Sequence, residues 1–400
     1  VPEQALPRLA LVTGATAPPA DELEVLAARF AERAEIADRT ARLPVESLED
    51  AARAGLQALT VPTALGGRGA GIRITTAIAR RLGQADPAPT LVLVMNWIQH
   101  ALVARNERWP VALRHRVAQD ALAGRGLMNA LRVEPALGTP TRGGLPDTVA
   151  HRTAGGWRLT GRKIYSTGAG ALHWYAVFAR TDDPDARIGY FLVPANAPGI
   201  RIEEQWDTLG MRASASHDVV FDGTPLSIDA GVDLRSPGGW SGMDAIEAAW
   251  AFLPVAGLYL GIAEAARDWL VEHLRSRVPS NLGSPLASLE RFQTAVGEIE
   301  VLLATAASVL EAAAERADVA SGPLSPGEPG IAKYFVTEQA IRAVEAAVAL
   351  TGNPGLSRRS PLERHLRNVL FGRIHTPQSD MVLRAAGAAA LAVDPSRELP

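Results

Sequence analysis

Apolar positions recur at helical spacing along the first part of the chain. Between Asp21 and Leu43 the residues Leu23, Leu26, Ala27, Phe30 and Ala34 fall on one side of a helix. A second helix is predicted from Ser47, with Glu49 and Asp50 near its N-terminus, where the dipole favours carboxylates. VPTALGGRGAG (61–71) reads as a turn, and helical patterns resume around Ile74 to Leu82 and Pro89 to Val103. Near Gly126 the character changes. As far as about Asp233 the chain becomes a series of short runs rich in aromatic and β-branched residues, among them LHWYAVFARTDD, RIGYFLVP, GIRIEEQW and SHDVVFDG. Turn residues separate them every eight to twelve positions or so, the spacing of a barrel or sandwich. After Gly239 the helical period returns, with Phe292, Val296, Ile299, Leu303 and Leu310 marking one face of a long helix. Breaks at 278–285, 322–330 and 352–361 divide this part into the helices of a bundle. The pattern predicts a mostly α protein with a central β domain: an N-terminal helical domain over 1–125, the β domain over 126–232 and a C-terminal helical bundle over 233–400.

Composition narrows the chemistry. The 400 residues are 47% hydrophobic, enough for real cores, so disorder is not the expectation. A formal net charge of −3 without a basic stripe argues against a nucleic-acid partner. Without cysteine there is no disulfide framework, thiolate nucleophile or Cys-based zinc site, and no metal is expected. Lysine occurs only at Lys163 and Lys333, which reads as a bias of composition. The longest apolar run, Ala248 to Ala263, is shorter than the ~20 residues a bilayer span needs. It contains Pro254 and lies between Glu247 and Glu264, so a buried helix is expected rather than a membrane segment. The first residues lack the charged and apolar regions of a signal peptide, and a cytoplasmic protein is expected.

Three segments carry more specific chemistry. GWRLTGRKIYSTG (156–168) is a strand that ends with an aromatic residue two positions before a Thr. WDTLGMRASASHDVVFDGTPL (206–226) has a Gly-Met-Arg-x-Ser-x-Ser core, and ALRVEPALGTPTRGG (130–144) is built on Glu-Pro and a Gly-rich turn. In this order, and within a helix–strand–helix layout, they resemble the acyl-CoA dehydrogenase superfamily across essentially the whole chain. The resemblance implies a flavin, FAD or FMN, bound between the β domain and the C-terminal bundle. It also implies a homodimer or homotetramer.

A flavin is held through its polar edges and ring face. By the resemblance, Thr167 matches the residue near flavin N5, Tyr165 the aromatic packing on the ring, and Thr139 the hydroxyl of the flavin loop, which also contains Val133. Gly138, Gly143 and Gly144 would let the backbone approach closely. Taken alone, Tyr165 and Thr167 are ordinary strand residues and the glycines an ordinary turn; the neighbouring segments favour the flavin. Arg277, before a Pro- and Gly-rich stretch, resembles an Arg that reaches a pyrophosphate across the dimer. The segment here is one residue longer, and a helix-end Arg beside Arg275 is the other reading. TGNPGL (351–356), with Gly352, resembles a glycine turn near adenine and ribose, but carries an extra residue and a Pro.

The departure from the family is at the catalytic base. In the dehydrogenases a Glu stands nine residues beyond an Arg that opens an Arg-Asp pair. Counted from Arg367, that position holds Thr376, whose hydroxyl is far too weak a base to remove an α-proton. The other position that relatives use, on the first long helix of the bundle, holds Ala251, with Glu247 a turn away, and the Arg beside it is replaced by Phe252. His375 gains interest. A branch resembling dibenzothiophene monooxygenase lacks the Glu and keeps a His here, and there reduced flavin and O₂ form a C4a-hydroperoxide. The resemblance gives His375 and Thr167 the role of donors to it. His100, on the MNWIQHA helix, is a third candidate, with a satisfied core histidine as the alternative. Trp97, Trp250, Phe252 and Tyr259 either line an apolar pocket or are core.

Two readings follow. One is a monooxygenase that uses reduced flavin, supplied by a flavin reductase, and O₂ on a small apolar or aromatic substrate. The other is an acyl-CoA dehydrogenase with a base relocated to Glu247, Asp244 or Asp380. A third possibility is a silent paralogue that binds flavin or an acyl ligand.

Overall fold

The computed structural model describes residues 17–137, 144–240, 243–319, 324–325 and 327–392. They form two compact units that divide at residues 242 and 243. In the first, helix α1 (Ala20–Thr40) buries Leu23, Leu26, Ala27, Phe30, Ala34 and Ala37, the stripe expected from their spacing. Helices α2 (Val45–Arg53) and α3 (Ile72–Ala85) follow. Helix α4 (Pro87–Arg105) is started by Asp86, whose carboxylate accepts from the Ala88 amide at 3.0 Å. It is buried on nearly every face because it packs against both α3 and a strand. Its polar groups are met within the core. Trp97 Nε1 donates to the Leu56 carbonyl at 2.6 Å, and Asn96 bridges the Gln57 carbonyl and the Met128 amide. Helix α5 (Val111–Leu122) completes the helical layer.

The strands are β1 (Met128–Leu131), β2 (Val149–Thr153), β3 (Gly156–Lys163), β4 (Trp174–Thr181), β5 (Ile188–Pro194), β6 (Ile200–Glu203), β7 (Asp218–Ser227) and β8 (Gly231–Arg235). They make one eight-stranded sheet in the order β6-β7-β3-β2-β4-β5-β8, with β1 on β4. Most pairs are antiparallel. Strand β4 runs parallel to β1 through Trp174–Val177 and to β2 through Arg180 and Thr181. Among the described residues only 3-10 turns, and no α-helix, interrupt the run from β1 to β8.

The second unit is helical. Helix α6 (Ala245–Ser276) opens with a capping box in which Asp244 accepts from the Ile246 and Glu247 amides and Glu247 accepts from the Asp244 amide. Helices α7 (Glu290–Asp318), α8 (Glu328–Thr351), α9 (Asn353–Leu356), α10 (Pro361–Val369) and α11 (Ser379–Leu391) follow. Helix α6 packs against α7, α8 and α10. It is long and apolar enough to cross a membrane, but 72% of its most apolar stretch is buried, as in the core helix of a bundle.

Candidate functional site

In the first unit the chain leaves β3 in a short, tightly held segment. The Ile164 amide donates to the Val133 carbonyl at 3.0 Å, that of Ser166 to His217 at 3.1 Å and that of Gly168 to Ser214 at 2.9 Å. Between these anchors Tyr165 sits at φ 57°, a left-handed conformation uncommon outside glycine. The residue is 60% exposed. It meets Trp206 edge-on at 6.1 Å, and Trp206 is itself fixed by Nε1 donating to the Met211 carbonyl at 2.9 Å. Gly168 has φ 76°, and a Cβ there would lie 2.8 Å from the Val92 side chain. Glycine is required by both conformation and space.

Thr167, two residues beyond Tyr165, is buried. Its Oγ1 accepts from Ser216 Oγ at 3.0 Å, and Ser216 Oγ lies 2.8 Å from Ser214 Oγ. Its carbonyl accepts from Asn129 Nδ2 at 3.2 Å. With Ser216 donating, the Thr167 hydroxyl keeps its own proton for an acceptor outside this relay. Ser166 Oγ is buried without a partner among the described residues. The segment therefore presents a pinned, exposed aromatic face beside a buried hydroxyl relay.

The Glu-Pro segment has a structural role that spacing did not reveal. The buried Glu134 carboxylate accepts from Lys163 Nζ at 2.5 Å, Thr148 Oγ1 at 2.6 Å, the Asp147 amide at 2.7 Å and the Thr148 amide at 3.0 Å. Lys163 Nζ also donates to the Phe178 carbonyl at 2.5 Å. Burial would raise the Glu134 carboxyl, but the Lys163 charge and these hydrogen bonds outweigh it and hold it below the usual range. Burial pushes Lys163 down to about 8, against the pull of Glu134. The pair joins the chain on both sides of segment 138–143 to the end of β3, two residues before Tyr165. Thr139, Gly138 and Gly143 lie in that segment, outside the described residues; Gly144, at φ 97°, follows it.

His100 stands apart from this arrangement. It is 3% exposed, its Nε2 lies 3.0 Å from the Gly126 carbonyl, and burial pushes it down to about 4. It is a neutral ring satisfied by backbone, and Trp97 is fully buried beside it. A separate cleft of about 570 Å³, with His173 and Gln57 among its lining, touches neither Tyr165 nor Thr167.

In the second unit His375 is half-buried on the turn between α10 and α11. Its Nδ1 lies 2.5 Å from the phenol oxygen of Tyr259, a fully buried residue of α6. Burial, and then the nearby Lys333 charge, push His375 down to about 4. Burial raises the Tyr259 phenol well above its usual value. Lys333, from α8, is buried and donates to the carbonyls of Gly372 at 2.6 Å, His375 at 2.7 Å and Pro377 at 3.0 Å. Thr376 follows His375, and Ala251 is half-buried on α6. Arg277 is exposed at the C-cap of α6, and Gly352, at φ 61°, is exposed at the end of α8.

Sequence reasoning did not assign roles to Asn129, Ser214, Ser216, Glu134 or Lys333. The only available signals were the Ser-x-Ser spacing and the rarity of lysine.

The described residues thus comprise a helical layer on a mixed sheet, with a pinned aromatic face beside a hydroxyl relay, and a helical bundle after it in the chain. Family models for the acyl-CoA dehydrogenase N-terminal, middle and C-terminal domains match residues 23–106, 133–224 and 253–380. A putative acyl-CoA dehydrogenase of Bacillus subtilis is 32% identical over 91% of this chain and 94% of its own length. The L-evernosamine nitrososynthase of a Micromonospora species is 32% identical over 86% of this chain and 82% of its own. The crystal structure of KijD3 with FMN and dTDP-3-amino-2,3,6-trideoxy-4-keto-3-methyl-D-glucose superposes with a TM-score of 0.81 at 25% identity. It covers 97% of this chain and 98% of its own. The chain belongs to the acyl-CoA dehydrogenase superfamily of flavin-dependent oxidoreductases.

Proposed function

We propose that the protein is a flavin-dependent monooxygenase acting on a small molecule rather than an acyl-CoA dehydrogenase. The observation that carries this reading is that neither expected position of the family's base holds a carboxylate. By the resemblance, Thr376 and Ala251 stand at the two positions where the family keeps its Glu. Of the carboxylates expected as relocated bases, Asp244 and Glu247 bond each other's backbone in the cap of α6. Asp380 is exposed in the first turn of α11. Abstraction of an α-proton needs a base within hydrogen-bond reach of it, and a Thr hydroxyl is not one at neutral pH. The dehydrogenase reading is favoured by the names of the Bacillus protein and of other relatives called acyl-CoA dehydrogenases.

The residues present fit a flavin. The exposed Tyr165 ring offers a stacking face, and the Thr167 hydroxyl has a proton to donate, with the Ser216–Ser214 pair behind it. FMN in the KijD3 complex and FAD in the dehydrogenases are the two candidates. When bound and reduced, by a separate reductase, the flavin supplies electrons to O₂; one oxygen atom enters the substrate and the other leaves as water. The chain's part is to bind, orient and donate. Tyr165 supports the ring, Thr167 donates a hydrogen bond, and His375 serves as a neutral donor. The nitrososynthase relatives extend the substrate class from apolar aromatics to amines of sugar nucleotides.

The experiment is anaerobic. Flavin-loaded protein is mixed with straight-chain acyl-CoAs of several lengths and the flavin absorbance is followed. No bleaching is expected. Separately, reduced FMN and isotopically labelled O₂ are supplied with an aromatic sulfide or a nucleotide-linked amino sugar, and label in the product is measured. Rapid bleaching by an acyl-CoA would overturn the monooxygenase and restore the dehydrogenase.

A further inference from the structure

The environment of His375 is more constrained than a hydrogen-bond donor requires, and the constraints come from two residues with no assigned part. Tyr259 is fully buried, and its phenol has one partner among the described residues, His375 Nδ1 at 2.5 Å. If Nδ1 carried the ring proton and donated to the phenol oxygen, the phenol hydrogen would have no acceptor in an apolar helix core. If the phenol donates, both groups are satisfied and the neutral ring must carry its proton on Nε2. Hydrogen-bond satisfaction therefore selects the tautomer.

Lys333 acts on the same turn from the other side. Its ammonium has three N–H donors, and three carbonyls between 372 and 377 receive them. Gly372 brings that turn close, since a Cβ there would lie 3.2 Å from Thr337 and 3.4 Å from the Tyr259 ring. The positive charge beside the His375 carbonyl also opposes a second proton on the ring. Composition supports a specific need for this cation. Lysine supplies only two of the chain's 40 basic residues, and both are fully buried, each donating to carbonyl oxygen. A guanidinium is planar and wide, whereas an ammonium is a compact point charge that fits a three-carbonyl cage.

We propose that Tyr259 and Lys333 are positioning residues for His375: the phenol fixes the imidazole as its Nε2–H tautomer, and the ammonium holds the 372–377 turn that carries it. The ring then offers one outward donor and is kept free of charge. The catalytic use of that donor rests on the monooxygenase reading, while the positioning does not.

The test uses the full chain without added flavin. Ring-labelled histidine is read by ¹⁵N NMR at neutral pH, with the His375 signals assigned through His375→Gln. In wild type, Nε2 should carry the proton with a preference of about tenfold or more, as one hydrogen bond to a buried group provides. Tyr259→Phe keeps the ring in the core and should return the ratio to that of a solvent-exposed histidine. Lys333→Met keeps most of the stem. It should speed amide hydrogen exchange at Ile374 and His375, which both donate to the Phe371 carbonyl, by about tenfold or more. A proton on Nδ1 in wild type, or an unchanged ratio in Tyr259→Phe, overturns the tautomer assignment. Unchanged exchange in Lys333→Met overturns the clamp. If both NMR results hold but His375→Ala still inserts oxygen at the wild-type rate, the positioning stands and the monooxygenase role of His375 fails.

Discussion

Lys163→Met should be among the most damaging single changes in the first unit. The substitution keeps a side chain of similar length and removes the charge. It leaves the Glu134 carboxylate buried, with only the Thr148 hydroxyl and the Asp147 and Thr148 amides as donors, and it strips the Phe178 carbonyl of a 2.5 Å hydrogen bond. Breaking a buried ion pair by removing one partner costs roughly 3–5 kcal/mol, because the other charge is left uncompensated. Against a typical total of about 5–15 kcal/mol, that is a large fraction. Glu134→Leu should cost a similar amount, since it leaves the ammonium without its counter-charge and deprives two amides and the Thr148 hydroxyl of their acceptor. Removing both charges together should cost less than the sum of the two by roughly 2–3 kcal/mol, the signature of direct coupling. Urea unfolding followed by tryptophan fluorescence is a suitable assay, because six of the eight tryptophans lie before residue 243. FMN titration of the same variants should show weaker binding, as the pair anchors the chain two residues before Tyr165. A cost below about 1 kcal/mol for Lys163→Met, or simple additivity in the double variant, would refute the reasoning.

Thr167→Val should weaken FMN binding by roughly 5- to 100-fold, because it removes a donor and strands the Ser216 hydroxyl, while Thr167→Ser should restore most of it; a fluorescence titration decides. Gly168→Ala should lower stability by about 1–3 kcal/mol through its left-handed backbone and the contact with Val92, with partial relief from Val92→Ala, and an unaffected melting temperature would count against the packing described. Stability should fall on acidification. Burial pushes His100 down to about 4 and His365 down to about 3 in the folded chain. The unfolded chain, with histidine near ~6.5, then binds more protons below that pH, and by pH 5 each of the two should cost roughly 2 kcal/mol. Unfolding midpoints that stay level from pH 7 to pH 5 would exclude this.

The sequence alone determined the order of helical, strand and helical blocks, because periodicity is local. The stripe from Leu23 to Ala34 and the all-apolar stretch of α6 emerge as buried surfaces, since a helix of that pattern must hide that side. The sequence also exposed what is missing: Thr376 and Ala251 can be counted to without any coordinates. Tertiary structure alone decided who meets whom. Glu134 and Lys163 are 29 residues apart, and Asn129 and Thr167 are 38 apart. Lys333 reaches carbonyls 39 to 44 residues away, and Tyr259 meets His375 across 116. The rarity of lysine is visible in the sequence, where it reads as bias. Its meaning appears only when both ammonium groups are found buried among carbonyl oxygens. His100 is the converse case, since a histidine on an apolar helix looks the same in sequence whether it serves chemistry or bonds a carbonyl, as it does with Gly126. A hydrogen bond forms between atoms a few ångströms apart, and that distance is set by strand register and helix packing, which no local pattern encodes.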